Sequence, residues 1–484
     1  MAKEKEFVKE LASQEDDFSQ WYIDTILKAN MADYSCVRGC MNIKPYGFAL
    51  WENMRDALDR RIKETGHENA YFPLFVPESL LQKEAEHVEG FAPEVPWVTH
   101  VGAEPLAERL AIRPTSETVI CAAYAEWVHS YRDLPILINQ WANVVRWEKR
   151  TRLFLRTSEF LWQEGHTCHR TEAEAQEETM KMLEVYREFC ETELAMPVIC
   201  GRKSESEKFA GAVATYSIEG LLKDGNAIQN GTSHFLGQNF ARAFNIKFLD
   251  EDNVEKFVWQ TSWGVTTRLI GSIIMSHGDE AGLVLPPRVA PIQAVIVPVY
   301  KDETKALVLG AANEMAAELK AAGMRVKCDD RETLRPGFKY NEWELKGVPL
   351  RIEIGPRDLE KGQAVVVRRL DRAKAFVPRA GLAGYLAEAL ATLQGDLLAR
   401  AKKHMADNTR EASSLDELAG IIADKRGLVW AGWDGTPESE ARVKDLTKAT
   451  IRNIPLDGGE PTEGLKDIVS GAPARHRVLF ARAY

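Results

Sequence analysis

Apolar positions in the first 280 residues change period several times. Phe48, Trp51, Met54, Leu58 and Ile62 recur at spacings of three and four, which predicts an amphipathic helix over 47–65 closed by Gly66. That stripe is too apolar for a lone surface helix and predicts packing at a two-fold interface. YFPLFVP follows as a strand, and SETVICAAYAEWVHSY reads as a further helix. ILINQWANVVRWE and EFLWQEGHT read as strands; after a helix at 172–195 come the strands AIQNGTSHFL and KFVWQTSW. Strands joined largely by hairpins, with helices inserted, predict an antiparallel α+β domain over 1–285.

The texture then shifts twice. SHGDEAGLVLPPRVAPIQ, at 276–293, packs three prolines and two glycines between patterned segments and reads as a linker. Beyond it, IQAVIVPVY, MRVKCDD, VPLRIEIG and GQAVVVRRL are strands, with helices over ETKALVLGAANEMAAELKAAG and FKYNEWELKG. This alternation predicts an α/β layer with parallel pairing over 286–400. After a helix at 382–402, KKHMADNTREASS joins it to a last small α+β segment, 401–484. No repeat of fixed period is visible.

Composition narrows the class. The 484 residues are 45% hydrophobic and 28% charged, ordinary globular values that exclude a disordered, collagenous or coiled-coil chain. No apolar run approaches the ~20 residues of a membrane span. The opening MAKEKEFVKE lacks the apolar stretch of a secretory signal. Seven cysteines, an odd number, point to free thiols in a reducing cytoplasm. A net charge of −10 lowers the expectation of non-specific nucleic-acid binding and leaves room for local basic patches.

Three arginines carry the chemical signal. Arg146-Trp147-Glu148 ends one strand pattern, the basic turn KRTRLFL follows, and Arg156-Thr157 opens the strand that holds Phe160 and Trp162. Arg268 lies in SWGVTTRLIG, where Gly264 and Gly271 bracket a strand-to-helix transition. Guanidinium grips phosphate bidentately, so the set suits an anionic ligand, although any one such pair alone is more often a surface ion pair. Neither GxxxxGK[ST] nor GxGxxG occurs. Trp162, Glu164 and His166 alternate along one strand and share a face. SET at 116–118 is compatible with a plain helix N-cap or with a ligand contact. His166, Cys168 and His169 cluster, and Cys36 and Cys40 are close, but neither set has a second pair at zinc-finger spacing.

RPTSET at 113–118, VVRWEKRTRLFLRTSEFLWQEGHT at 144–167 and SWGVTTRLIG at 262–271 closely resemble the signatures of the class II prolyl-tRNA synthetases, in order and spacing. GFALWENMRDALDRRIKETGHENAYFPLFVP resembles the family's first motif, its dimer-interface helix and strand. RWE with its loop and Arg156 resembles the second, and Gly264 to Arg268 the third. The resemblance is to the archaeal/eukaryotic-like branch, because the segment 170–260 has no room for the bacterial-type editing insertion.

This resemblance implies an α+β catalytic domain on an antiparallel sheet, an anticodon-binding domain at 286–400 and a C-terminal domain resembling the zinc-type extension. It implies that L-proline is activated with ATP to prolyl-adenylate and passed to the 3' end of tRNA(Pro), by a cytoplasmic homodimer with no membrane partner. Arg146 and Arg268 would be catalytic. Thr115, Glu117, Arg146, Trp162, Glu164, His166 and His234 would bind proline. Arg146, Glu148, Arg156, Thr157, Phe160, Gln229, Thr232, Thr266 and Arg268 would bind ATP, with magnesium near Gln229. Glu344, Arg351 and Arg357 would read the anticodon. The chain departs from the branch in its tail: Cys328 is the last cysteine, and Ala431, Gly432, Ser470 and Gly471 lie where zinc thiolates would be expected. The resemblance therefore implies no zinc, with packing in its place and Trp430 and Trp433 as the filling mass. The terminal ARAY implies that Tyr484 reaches the catalytic half and that its carboxylate anchors near the basic groups there. Two other readings remain open: a synthetase of the same subgroup for threonine, histidine or glycine, and a non-catalytic RNA-binding paralogue. RPTSET, WQEGHT and ARAY argue against the first, and the retention of all three arginines against the second.

Overall fold

The computed structural model describes residues 11–87 and 94–484, so MAKEKEFVKE lies outside the described residues. Its centre is the antiparallel run Ile199–Arg202, Ala214–Leu221, Ala227–Gly237, Trp259–Thr266, Glu159–His169 and Ile136–Val145. The two-residue strand Glu68–Asn69 adds in parallel beyond Ile136–Val145. Behind this sheet lies the helix Glu172–Thr192, opened by a reciprocal cap between Thr171 and Glu174. It buries Met182, Leu183, Tyr186 and Phe189. Gly165 allows the close approach there, since a Cβ would lie 2.1 Å from the Trp263 ring. Trp263 in turn meets Tyr186 and His67 edge-on.

The amphipathic helix runs Pro45–Glu64, as its periodicity predicts, but its partner is its own chain. Trp51 and Met54 are 4% and 1% exposed, and Trp51 packs edge-on against Trp141 at 5.8 Å. Only Phe48 of that trio stays open, at 37%. The stripe thus carries no argument for a two-fold interface. The YFPLFVP strand also shortens to Phe75–Pro77, the edge of a three-stranded sheet with Glu104–Ile112 and Trp97–Val101.

Residues 278–293 connect the two α/β-containing parts without being loose. Leu283 and Leu285 are buried, and their amides donate to the carbonyls of Leu345 and Gly347. Asp279 makes a two-pronged pair with Arg369 at 2.8 and 2.6 Å. The following sheet has five strands, in the order Val326–Cys328, Ala294–Pro298, Leu350–Ile354, Gln363–Arg368, Lys374–Pro378. The first two pairings are parallel and the last two antiparallel, so the sheet is mixed rather than parallel throughout. The cause is connection length: only the short helix Pro356–Glu360 separates its third and fourth segments in the chain. A parallel crossover needs about a dozen residues or more. The helix that begins at Leu382 runs on to Asp407, straight through residue 400.

The last four strands, Thr409–Glu411, Leu428–Trp433, His476–Arg482 and Ala449–Pro455, do not form a separate sheet. Ala449–Pro455 pairs with Ile199–Arg202 through Ile454–Arg202 and Pro455–Gly201, making one eleven-stranded sheet. An ionic cluster is buried at this seam. Glu219 accepts from Lys203 at 2.7 Å and from Arg452 at 2.9 and 3.1 Å, and Lys203 also donates to the Arg452 carbonyl. Burial alone would raise the Glu219 carboxyl, but Lys203 and Arg452 hold it below the ordinary range.

In the tail, Trp433 fills the core with Val443, Ile451, Val478 and Phe480. Trp430, one pleat out of phase, turns the other way: it packs beside Leu221, Ala227 and Leu479 and stacks under Arg477 at 4.2 Å. It fills the seam rather than the tail's own core. Between the loops where thiolates would be expected stands Asp467, which accepts from Ser439 Oγ at 2.6 Å, Asp434 N at 3.2 Å and the Val469 and Ser470 amides. Tyr484 reaches the catalytic half by its ring and amide. Its N–H donates to the Ala227 carbonyl, and its ring lies over the Arg152 guanidinium at 5.1 Å, with Tyr22 over the same group at 5.0 Å.

Candidate active site

A cavity of about 340 Å³ opens on the front of the catalytic sheet. Because side chains alternate, Phe160, Trp162, Glu164 and His166 from one strand all face it. Thr232 and His234 enter from Ala227–Gly237, and Thr266 and Arg268 from the end of Trp259–Thr266 and the first turn of Arg268–His277. All fifteen residues expected in the catalytic half line this one cavity. Glu148, Arg156 and Thr157 enter from the two ends of the basic turn, which is pinned by Leu153, Phe154 and Leu155 packed into the core, the last two also bordering the cavity.

One end is cationic. Arg146 lies deep in the cleft with its guanidinium open to the cavity. Its Nε donates to the Pro114 carbonyl, and the rings of Trp162 and Phe160 stand 5.3 and 5.6 Å away. Arg268 is held by the carbonyls of Leu155 and Gln229, each at 3.3 Å. Burial, then the charges of Arg156 and Arg146, push its pKa down to about 10. Arg156 has one carboxylate partner, Glu148, at 3.8 Å. Three guanidinium groups thus converge with little anionic compensation, a field that a polyphosphate would satisfy.

The other end is a polar pocket. Ser116 stands at the N-cap of Glu117–Trp127, yet its hydroxyl does not cap the helix. It donates instead to Glu164 at 2.5 Å, with its own amide and Gln140 Nε2 adding two more donors to that carboxylate. His166 supplies a fourth, at 3.0 Å. Burial would raise Glu164, but these donors, His166 first, hold its pKa down. Burial would lower His166, and Glu164 with Glu117 raises it above the ordinary histidine value. Glu117, by contrast, receives the Thr115 hydroxyl and faces the cavity. Atoms of Glu117, Glu164 and His166 lie within 4.8 Å of one another, the one such set of three among the described residues. Since Glu164 is already fully engaged, Glu117 is the carboxylate left for a ligand's cationic group. The plain N-cap reading of SET is overturned by where Ser116 Oγ goes.

Phe209, Thr215, Asn230 and Ser262 also line the cavity, and sequence reasoning missed them. Thr215 was within reach: the hairpin register sets it directly opposite His234. Elsewhere, Glu344 and Arg351 border a second, 140 Å³ cavity beside the mixed sheet, whereas Arg357 is exposed and lies outside its lining. In that cavity Glu344 pairs with Arg372 at 2.6 Å, and Arg351 pairs with Glu353 and stacks on Tyr340 at 4.2 Å. Cys121, Cys168 and Cys190 are buried, and the one group of three among the described residues that could hold a metal ion includes His166 but no cysteine.

The antiparallel sheet with arginines lining the cavity on its face is the core of a class II aminoacyl-tRNA synthetase. Residues 98–277 match the tRNA synthetase class II core domain (G, H, P, S and T), and 293–389 the anticodon binding domain. Residues 415–484 match the prolyl-tRNA synthetase C-terminal domain. A proline--tRNA ligase of Natranaerobius thermophilus is 57% identical over 482 residues, covering 99% of each chain. Those of Symbiobacterium thermophilum and Rubrobacter xylanophilus are 56% and 55% identical, over 99–100% of this chain and the whole of theirs. The chain belongs to the proline--tRNA ligase family.

Proposed function

We propose the following division of labour for the ligation of L-proline to tRNA(Pro) with ATP. The observation that carries it is the single cavity, cationic at one end and carboxylate-lined at the other. Proline's secondary ammonium sits on Glu117 and Thr115, with Trp162, His166 and His234 around the ring and Glu164 holding His166 in place. Its carboxylate attacks the α-phosphate of ATP, and pyrophosphate leaves. Such a step is mostly positioning and charge neutralisation. Arg146 bridges the carboxylate and the α-phosphate, so that two anions approach. Glu148, Arg156, Thr157 and Phe160 hold the nucleotide base and ribose side, and Thr232, Thr266 and Arg268 the far phosphates. Gln229, Glu148 and the hydroxyls of Thr157, Thr232 and Thr266 line the cavity there, oxygen groups that would suit a magnesium ion carried mainly by nucleotide oxygens, where it would neutralise phosphate charge. The adenylate then passes proline to the terminal ribose of the tRNA. Glu344, Arg351 and Arg357 read the anticodon.

The chain is divided 1–285, 286–400 and 401–484, acts in the cytoplasm and works as a homodimer. With the helix stripe internal, the dimer reading is supported by Tyr71, Phe75 and Trp97, exposed on and beside the three-stranded sheet. Proline-dependent ATP–pyrophosphate exchange tests the whole reading: proline supports exchange, while threonine, histidine and glycine do not. Exchange driven by another amino acid, or by none, overturns it.

The tail folds without zinc, with Trp433 and the Asp467 hydrogen bonds tying the loops that a metal would otherwise join. Purified protein is therefore expected to contain well under one zinc per chain, and its melting temperature should not change with chelator. A chelator-sensitive melt with stoichiometric zinc would contradict this.

A further inference from the structure

At the back of the amino-acid pocket a short hydrogen-bond relay reaches His234 from Thr215 and Phe209, two residues given no role above. Thr215 and His234 face each other across the antiparallel pair, with Thr215 Oγ1 3.0 Å from His234 Nδ1. The same oxygen accepts the Phe209 amide at 2.9 Å. A backbone N–H can only donate, so it occupies an acceptor site of the hydroxyl. Among the described residues the remaining acceptor for the hydroxyl proton is Nδ1. A neutral imidazole whose Nδ1 accepts must carry its hydrogen on Nε2. The Phe209 ring tilts over the imidazole, with centroids 4.7 Å apart. Burial, then His166 and Arg146, lowers the His234 pKa to about 3, so the ring is neutral at every working pH.

We propose that Thr215 is a positioning residue: it fixes His234 as the Nε2–H tautomer, a neutral donor for a carboxylate or carbonyl oxygen of the bound amino acid. The proposal rests on the reading of this end of the cavity as the amino-acid pocket. A neutral donor suits the place. A further cation beside Arg146 would repel the substrate's ammonium, whereas an uncharged N–H binds an oxygen without opposing Glu117. The segment that carries Phe209 is tied to the same hydroxyl through the Phe209 amide.

Two measurements test this on the full chain. Nitrogen-15 NMR of histidine-labelled protein, with His234 assigned by its loss in His234→Ala, is expected to show a protonated Nε2 and a bare Nδ1 without ligand. A protonated Nδ1 overturns the proposal whatever the enzyme's substrate. In exchange assays Thr215→Val, which keeps the branched shape, should raise the KM for proline about tenfold with kcat within about threefold, the size of one lost buried hydrogen bond. Thr215→Ser should restore it. In a His234→Ala background Thr215→Val should add nothing; a full effect there, or an equal loss in Thr215→Ser, would mean that Thr215 acts only by packing and would sink the idea. Absence of any proline-dependent exchange in the parent protein would instead remove the functional reading and leave the NMR result standing.

Discussion

Arg146→Ala is expected to remove proline-dependent exchange, lowering the rate by about 100-fold or more. The guanidinium lines the cavity where a carboxylate and a phosphate must approach, and its Nε is held in place by the Pro114 carbonyl. Losing one preorganised charge-assisted donor in such a site costs about 3 kcal/mol or more at the transition state. Nothing nearby replaces it: Arg268 is tied to the Leu155 and Gln229 carbonyls, and Arg156 leans on Glu148. The loss should fall on kcat as well as on KM, because the group is needed most when the charges are closest. A variant retaining exchange within tenfold of the parent would take Arg146 out of the mechanism.

Glu219→Gln is expected to have the largest effect on stability. It removes the one anion that Lys203 and Arg452 share at the seam, and both cations are buried. Stranding buried charge typically costs about 3–5 kcal/mol. The loss should appear as a lower urea midpoint. Arg452→Met in the Glu219→Gln background should then cost less than in the parent, because it removes one of the stranded charges. The pH dependence has a definite sign. The folded carboxyl lies below its ordinary 4.5, so its contribution is present above that value and is lost as pH falls through the folded pKa. The parent should lose stability in that acid window, and Glu219→Gln should lose less there. A midpoint shift worth under about 1 kcal/mol would show that the cluster relaxes into water instead.

Much of the site could be read from residue order. Alternation along 159–169 set Trp162, Glu164 and His166 on one face, and the structure keeps them there. The three arginine motifs, far apart in the chain, meet because strands Glu159–His169 and Trp259–Thr266 are neighbours. Illegible parts share a cause: they depend on what lies opposite. The apolar stripe of Pro45–Glu64 signals burial but not against which surface, and Trp141 covers it from within. The valine-rich strand Gln363–Arg368 has the same pattern parallel or antiparallel, and only the short connection decides its direction. Trp430 and Trp433 look alike in sequence, yet face opposite sides of the pleat. Ser116 looks like a helix cap until Glu164 is brought within 2.5 Å of it.

The joined sheet also bears on how the chain is made. The catalytic strand Ile199–Arg202 is completed by Ala449–Pro455, and Asn453 reaches back to Ile199 across 254 residues of sequence. At synthesis rates of about 5–20 residues per second, that edge waits on the order of 10–50 seconds for its partner. Until then the nascent catalytic half shows an open strand, the kind of edge through which two incomplete chains pair. Lys203 and Glu219 wait beside it, each half-satisfied until Arg452 arrives. Arrest of translation before residue 449 should therefore leave the upstream sheet dependent on chaperones, although every residue lining its cavity has already been made.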